Sequence, residues 1–147
     1  MQIAIPIFDG FDDLDALGPH EVFTHARNAG ANLTVELCTL QARETVTSAH
    51  GLRIHPHGRL PTPETSESSE LPDLVVVPGG GWSDGGGARE QVERGALPAA
   101  LEALAAHGTT AASVCTGGMI LAAAGLTDGR PAVTHHSALT DLAESGA

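Results

Sequence analysis

The chain has 147 residues, with 18 acidic side chains against 7 basic ones and a formal net charge of −11. This length suits a single domain spanning residues 1–147, and so acidic a surface repels phosphate backbones and excludes nucleic acid as a favoured partner. No apolar run is long enough to span a bilayer and no basic-then-apolar leader opens the chain, so we expect a cytoplasmic protein without membrane contact.

Strand-like and helix-like segments alternate along the chain. Continuous apolar runs predict buried strands, and apolar residues at helical spacing predict helices. The first helix is predicted to begin at Pro19, because proline suits the first turn of a helix. In chain order the prediction is a strand at 1–8, a helix at 19–28, a strand at 33–40, a short hairpin at 44–48 and 52–56 on the sheet edge, a polar linker at 61–70, a strand at 74–77, helices at 89–93 and 97–107, a strand at 109–114, a helix at 117–124, a short strand at 132–134 and a helix at 137–144.

This order of elements predicts an α/β fold. Specifically, we expect a flavodoxin-like three-layer sandwich with a mainly parallel sheet covered on both faces. Ligands of such sheets bind outside the carboxyl ends of the strands, near the point where the strand order reverses. The turns after Phe8, Val77 and Val114 should therefore converge on one site.

Cys115 lies at the junction between a predicted strand and a helix of small residues that starts at Gly117. A residue held at such a junction must turn sharply, which is the geometry of a nucleophile elbow with sulfur in place of hydroxyl. We expect the helix N-terminus to lower the pKa of this thiol. The alternative is a cysteine that only packs in a tight turn, as predicted for Cys38 in its apolar run.

A glycine triplet, residues 79–81, ends the third predicted strand of the sheet. Glycines such as Gly79 let the chain approach a bound substrate closely, and the N–H groups of Gly80 and Thr116 could form an oxyanion-hole pair. The alternative is a flexible loop without a chemical role, which a glycine triplet signals equally well.

Asp15 supplies the predicted acid. Apolar neighbours should desolvate its carboxyl group and raise its pKa, so that it could exchange protons with a nearby thiolate. The alternative is an ordinary carboxylate in the first turn of a helix, where acids are common. Asp12 and Asp13 are predicted to be solvated.

Three segments, 15–19, 77–80 and 114–118, resemble the ThiJ/PfpI superfamily of class I glutamine amidotransferase-like proteins, and so do 123–130 and 134–136. The resemblance covers the whole chain and is strongest to the isocyanide hydratase-like branch; the amidase-like domains of some AraC-type transcription regulators share the same motifs. It implies Cys115 as nucleophile, Asp15 as its carboxyl partner, and Gly80 and Thr116 as backbone donors.

Two departures from the family pattern affect the interpretation. PfpI-type proteases carry histidine directly after the cysteine, where this chain has Thr116, which argues against a peptidase. His135 is an accessory candidate near the site, with a structural role favoured. Family members usually continue past residue 147 with a strand, a glycine-containing turn and a long helix, so the C-terminal part of the family domain is predicted to be absent.

The resemblance implies a cysteine-dependent hydro-lyase that adds water to an isocyanide and releases an N-substituted formamide. The substrate would be small and neutral, no cofactor or metal is expected, and a homodimer is expected from the family. The alternatives are another small-molecule hydrolase or a glyoxal-processing enzyme on the same cysteine, a ligand-sensing domain of an AraC-type regulator, or an inactive remnant.

Overall fold

A five-stranded parallel sheet forms the centre of the molecule in the computed structural model, which describes residues 1–147. The elements are β1 (Gln2–Pro6), α1 (Asp13–Asn28), β2 (Thr34–Thr39), β3 (Val46–Thr47), β4 (Arg53–Ile54), β5 (Gly58–Arg59), β6 (Leu74–Val77), α2 (Gly87–Arg94), α3 (Ala96–Ala106), β7 (Thr110–Ser113), α4 (Gly117–Ala123) and α5 (Leu139–Glu144), with 3₁₀ turns at Ser68–Glu70 and His136–Ala138. The strand order is β5–β2–β1–β6–β7, and every neighbouring pair in this sheet is parallel.

Helices cover this sheet in a three-layer arrangement, which confirms the predicted fold class. The chain moves from β1 to β2 in one direction across the sheet and from β6 to β7 in the other. Right-handed crossovers therefore place α1 and α3 on opposite faces. The central strands are buried on both faces, as parallel strands require: Ile5, Val75 and Val77 have no exposed surface. The strand order reverses between β1 and β6, so a crevice opens beyond their carboxyl ends.

The prediction for the start of the first helix was wrong, because α1 begins at Asp13 and Pro19 lies inside it. The side chain of Asp12 caps the helix by accepting a hydrogen bond from the Leu14 N–H at 3.1 Å. Pro19 cannot donate to the carbonyl group four residues earlier, yet the helix continues through it. The early start places Asp15 in the first turn of α1.

The region between β2 and β6 differs from the prediction in three ways. β3 and β4 form the predicted antiparallel hairpin, but as a separate two-stranded sheet and not on the edge of the central one. The strand next to β2 at one edge of the central sheet is β5, two residues long, which was not predicted because so short a run carries no periodicity. The predicted linker at 61–70 forms a hydrogen-bonded turn at Thr62, whose carbonyl accepts from the Thr65 and Ser66 N–H groups, and ends in the 3₁₀ turn Ser68–Glu70.

The predicted strand at 132–134 is absent, since this segment joins no sheet ladder and Val133 is 74% exposed. It passes the start of α4 closely enough that a Cβ atom on Gly118 would lie 2.7 Å from the Val133 carbonyl oxygen. Its polar contacts are made to the turn at Cys115 instead of to a neighbouring strand. None of the helices combines the length and the apolar character needed to cross a lipid bilayer.

Candidate active site

Cys115 occupies the turn between β7 and α4 with a φ angle of 54°, and it is the only residue other than glycine with a positive φ. Residues with a Cβ atom avoid this region because the side chain crowds the backbone, so such a conformation persists only where the surroundings impose it. The predicted sharp turn is therefore present.

Close packing of α4 against β6 enforces this turn. A Cβ atom on Gly117 would lie 2.2 Å from the Val77 carbonyl oxygen, so only glycine allows the helix to start so near the strand. The turn is also fastened to the glycine triplet by the buried hydroxyl group of Thr116, which donates to the Gly80 carbonyl at 2.9 Å and accepts from the Gly80 N–H at 3.0 Å. The Gly80 N–H is thus engaged within the protein, and its role as a donor to substrate stays a prediction.

Asp15 reaches the same turn from α1. Its Oδ2 accepts a hydrogen bond from the Gly79 N–H at 3.1 Å. The missing side chain of Gly79 makes room for this contact, since a Cβ atom there would lie 2.7 Å from the Thr116 nitrogen and 2.9 Å from Asp15 Oδ2. The three turns after β1, β6 and β7 therefore converge as the sequence predicted.

Burial governs the protonation of both groups. Desolvation raises the pKa of Asp15, as predicted, and the nearby charge of Asp12 raises it further, while hydrogen bonds from Gly79 and Cys115 act in the opposite direction. Desolvation also raises the pKa of the Cys115 thiol, against a lowering by the Thr116 N–H, and the Asp15 charge adds to the increase. The predicted lowering of the cysteine pKa was wrong, because desolvation and a carboxylate outweigh the start of a seven-residue helix.

Cys115 opens onto a cavity of about 370 Å³ beyond the carboxyl ends of the strands. His135 lines this cavity together with Cys115, and its positive form would lower the pKa of Asp15. The His135 ring also lies 2.9 Å from the Ser137 hydroxyl and accepts from the Ser137 N–H at 3.3 Å, which caps the following 3₁₀ turn. His135 thus combines a capping contact with a place in the cavity wall.

Two further residues of the site were not predicted from the sequence. Thr134 donates its hydroxyl proton to the Cys115 carbonyl at 3.2 Å and so supports the strained turn from the other side. Trp82 lines the cavity and donates its indole N–H to Asp141 of α5 at 2.6 Å. A lone tryptophan in a glycine-rich loop is a signal that could have been used, because loop aromatic residues often contact ligands.

The charged groups near the start of α1 anchor the β3–β4 hairpin. Asp13 accepts from the Ser48 hydroxyl at 2.6 Å and contacts His50 at the same distance. These contacts lower the pKa of Asp13, with the Ser48 hydrogen bond the main cause, and raise that of His50. The prediction that Asp13 is merely solvated was therefore wrong.

Cys38 is buried as predicted, and desolvation raises the pKa of its thiol to about 12.

The whole chain matches the sequence profile of the DJ-1/PfpI family over residues 1–147. It is 32% identical over 142 residues to an uncharacterized protein from the cpoL 5′ region of Streptomyces lividans, covering 97% of this chain and 92% of that protein. It is 30% identical over 135 residues to the isonitrile hydratase of Pseudomonas putida, covering 92% of this chain but only 52% of the hydratase.

Solved structures of DJ-1/PfpI family proteins have the same fold as this chain. A ThiJ/PfpI family protein of Pseudomonas syringae superposes with a TM-score of 0.79 at 28% identity, over 99% of this chain and 55% of that protein. An AraC family transcriptional regulator of Pseudomonas putida superposes with a TM-score of 0.74 at 21% identity, over 99% and 72% of the two chains, a likeness of fold alone. The chain belongs to the DJ-1/PfpI family.

Proposed function

We propose that this DJ-1/PfpI family member is a cysteine-dependent enzyme that hydrates a small neutral isocyanide to an N-substituted formamide. The observation that carries the proposal is the strained turn at Cys115, φ 54°, which holds a thiol at the wall of a cavity beside the Asp15 carboxyl group. Backbone strain of this kind costs stability, and it concentrates where function depends on it.

The proposed reaction begins with proton transfer from the Cys115 thiol to the Asp15 carboxylate. The thiolate attacks the terminal carbon of the isocyanide, a C–S bond forms, and Asp15 passes the proton to that carbon, which gives a thioimidate. Water then adds across the C=N bond, with hydroxyl on carbon and hydrogen on nitrogen. Loss of the hydroxyl proton expels the sulfur, releases the formamide and returns the proton to Cys115, so that one water is consumed and no cofactor is required.

Asp15 suits this exchange because its environment favours the protonated form more than water does. Desolvation raises the pKa of Asp15 and that of Cys115. The pair therefore holds one proton over a pH range whose lower and upper limits both lie above the ordinary pKa values of an aspartate and a cysteine. The Gly79 N–H orients the carboxylate. The Thr116 N–H favours the thiolate once it forms, and Gly80 is assigned to the substrate-facing loop.

The charge of the cavity disfavours an anionic substrate. Asp12 and Asp84 line it, and no arginine does. Both carboxylates would repel an anion. The indole of Trp82 offers an apolar surface for the substituent on an isocyanide nitrogen. The isonitrile hydratase relative supports the same chemistry, but this chain spans about half of that protein, so the activity is carried over only as a proposal.

The test is turnover of an aryl isocyanide, with the formamide product measured by liquid chromatography. We expect formation by the wild type and loss with Cys115→Ala. Cys38→Ala is the matched control, since Cys38 is the other free cysteine and lies buried. Equal rates for wild type and Cys115→Ala would contradict the proposal.

A parallel assay separates isocyanide hydration from the rival chemistry on the same cysteine. Consumption of methylglyoxal by the wild type, abolished by Cys115→Ala and without any formamide from the isocyanide, would replace the hydratase proposal with a glyoxal-processing one. Isocyanide turnover with no consumption of methylglyoxal is the expected result.

A further inference from the structure

Two segments that are far apart in the chain line the cavity at Cys115. The first, the loop wall, is residues 80–84, which follow β6 and all line the cavity. The second, the C-terminal wall, is His135 and Ser137, which precede α5. Because the chain does not join the two walls directly, tertiary contacts must fix the distance between them and with it the width of the cavity.

One hydrogen bond connects the loop wall to the C-terminal segment. The indole N–H of Trp82 donates to Oδ2 of Asp141, which lies in α5, at 2.6 Å. No other hydrogen bond links residues 80–84 with residues 135–144. Asp141 does not line the cavity itself, so it affects the cavity only through Trp82.

The tip of the loop wall depends on this contact. The other hydrogen bonds made by residues 82–85 stay inside the loop and are longer, at 3.3 Å. The guanidinium group of Arg89, in α2, lies 5.3 Å from the centre of the Trp82 ring and attracts it by a cation–π interaction. This attraction acts on the ring face and does not satisfy the indole N–H, which has Asp141 as its acceptor.

Without the Asp141 carboxylate, Trp82 could not stay as it is at no cost. Trp82 is 9% exposed and its indole N–H can only donate, so the N–H would either lack an acceptor or turn toward water and move the loop. A hydrogen bond to a carboxylate is charge-assisted and about twice as strong as one between neutral groups. The position of the loop wall should therefore respond to substitution of Asp141.

We propose that Asp141 is a positioning residue for the site at Cys115: through Trp82 it holds the loop wall to the C-terminal wall and so limits the size of the molecules that reach the thiol. Its effect on isocyanide hydration rests on the function proposed above. A narrow cavity confines an isocyanide with a compact substituent, whereas a released loop admits larger molecules and orients small ones less well.

The selectivity of Cys115 toward thiol reagents tests this role without any isocyanide. In a Cys38→Ala background Cys115 is the sole thiol, and its rate constants are measured with the bulky N-phenylmaleimide and with the small iodoacetamide. Asp141→Ala should raise the ratio of the bulky to the small rate constant about three- to tenfold, the range expected for loss of one hydrogen bond. A change in the thiol pKa affects both rate constants alike and so cancels in the ratio.

Three further variants separate the hydrogen bond from charge and from helix stability. Glu144→Ala removes the same charge from an exposed residue of the same helix and should leave the ratio unchanged. Asp141→Asn keeps an oxygen acceptor for the indole and should stay within about twofold of the wild type. Trp82→Phe should reproduce Asp141→Ala, and the double variant should show no further increase, because each single substitution breaks the same bond.

Fluorescence reports the position of Trp82 directly. Trp82 is the only tryptophan and the chain has no tyrosine, so the emission comes from this one ring. Quenching by acrylamide should become stronger in Asp141→Ala and stay unchanged in Glu144→Ala.

Turnover of an aryl isocyanide measures the consequence for the reaction. Asp141→Ala should raise KM about three- to tenfold and leave kcat within about twofold, since Cys115 and Asp15 keep their own contacts with Thr116 and Gly79. The pH dependence of kcat should not move.

The role of Asp141 is overturned by an unchanged reagent ratio in Asp141→Ala, by an equal change in Glu144→Ala, or by additive effects of Asp141→Ala and Trp82→Phe. An unchanged KM in an active enzyme would also overturn it. The expected reagent ratios and quenching, together with no isocyanide turnover by the wild type, would overturn the hydratase proposal and support the role of Asp141.

Discussion

The left-handed backbone of Cys115 has a measurable energetic consequence. At a φ of 54° glycine is free of the steric cost that any side chain carries, so Cys115→Gly should be more stable than Cys115→Ala by about 1 kcal/mol. Both variants lack the sulfur atom, so its contribution to the free energy of unfolding cancels in the comparison. The measurement is the free energy of unfolding in urea.

The same pair of substitutions at Glu102 is the control, because this residue lies exposed within α3. There alanine should be favoured over glycine by about 1 kcal/mol, the usual preference of a helix. If alanine were favoured at position 115 as well, the turn would not be strained in solution.

Asp15 should control the pH dependence of both activity and stability. In the proposed reaction the active form has a charged Asp15 and a neutral thiol, so both limbs of kcat/KM against pH should lie at higher pH than for an ordinary aspartate and cysteine, because both pKa values are raised by burial. Asp15→Asn keeps an acceptor for the Gly79 N–H but should lower kcat/KM by about 10²-fold or more and remove the acid limb.

Stability gives an independent check on Asp15. Its pKa is higher in the folded protein than in the unfolded chain, so the folded state binds more protons between the two values. The contribution of Asp15 to stability is therefore lost as the pH rises through that window, and Asp15→Asn should flatten this decline. An unchanged slope of unfolding free energy against pH would show that Asp15 is not desolvated.

For single residues, the sequence predicted which side chains belong to the site, but it did not predict which of the opposing influences on their pKa values is larger. The apolar neighbours of Asp15 predicted its raised pKa correctly. The thiol of Cys115 was expected to have a lowered pKa, because the helix was visible in the sequence whereas the burial of the sulfur and its distance from the Asp15 charge were not. Thr134 was missed for the same reason, since its contact with the turn crosses 19 residues.

The approach of α4 to β6 depends on a single missing methyl group. A Cβ atom on Gly117 would lie 2.2 Å from the Val77 carbonyl, and a backbone atom cannot move aside cheaply. Gly117→Ala should therefore destabilise the protein by about 1–3 kcal/mol and lower activity by displacing Cys115. Urea unfolding and the isocyanide assay measure the two effects.

Gly58→Ala in β5 is the matched control for Gly117→Ala. A Cβ atom at Gly58 meets nothing within 4 Å, and the φ angle of this glycine is not positive. Its unfolding free energy should stay within about 0.5 kcal/mol of the wild type. A similar small change for Gly117→Ala would mean that the helix can shift without cost.

Elements that bury a regular apolar pattern were predictable, and those fixed by polar contacts were not. β6 lies at the predicted residues, 74–77, because a run of valines fits only a buried strand. The start of α1 depends on the Asp12 cap, which overrides the signal from Pro19. The segment at 132–134 has strand-like composition, but it pairs with no strand, and its Thr134 hydroxyl donates to the Cys115 carbonyl instead.

The convergence of three turns on one site was predictable from topology alone. In a parallel sheet whose strand order reverses, the loops after the strands on either side of the reversal must meet, whatever their side chains. The topology therefore predicts that residues 15, 79 and 115 lie in one site.

The expected homodimer stays a prediction at the scale of the whole molecule, and we propose the stripe of exposed apolar residues on α1 as its contact. Leu14 and Val22 are 75% and 65% exposed, and Gly18 lies between them at the four-residue spacing that places all three on one side of a helix. Val22→Glu should therefore raise the dimer dissociation constant about tenfold or more, because a carboxylate would be buried without a partner. Sedimentation velocity over a range of concentrations measures it.

Arg27→Gln is the control, since it changes the net charge by the same amount from a position about half a turn around α1 from the stripe. Charge must be matched because each copy carries −11 and two copies repel one another, so association should also strengthen with added salt. Equal weakening by both substitutions would assign the effect to net charge and not to the stripe. A wild type that sediments as a monomer at every concentration and salt would exclude the dimer itself.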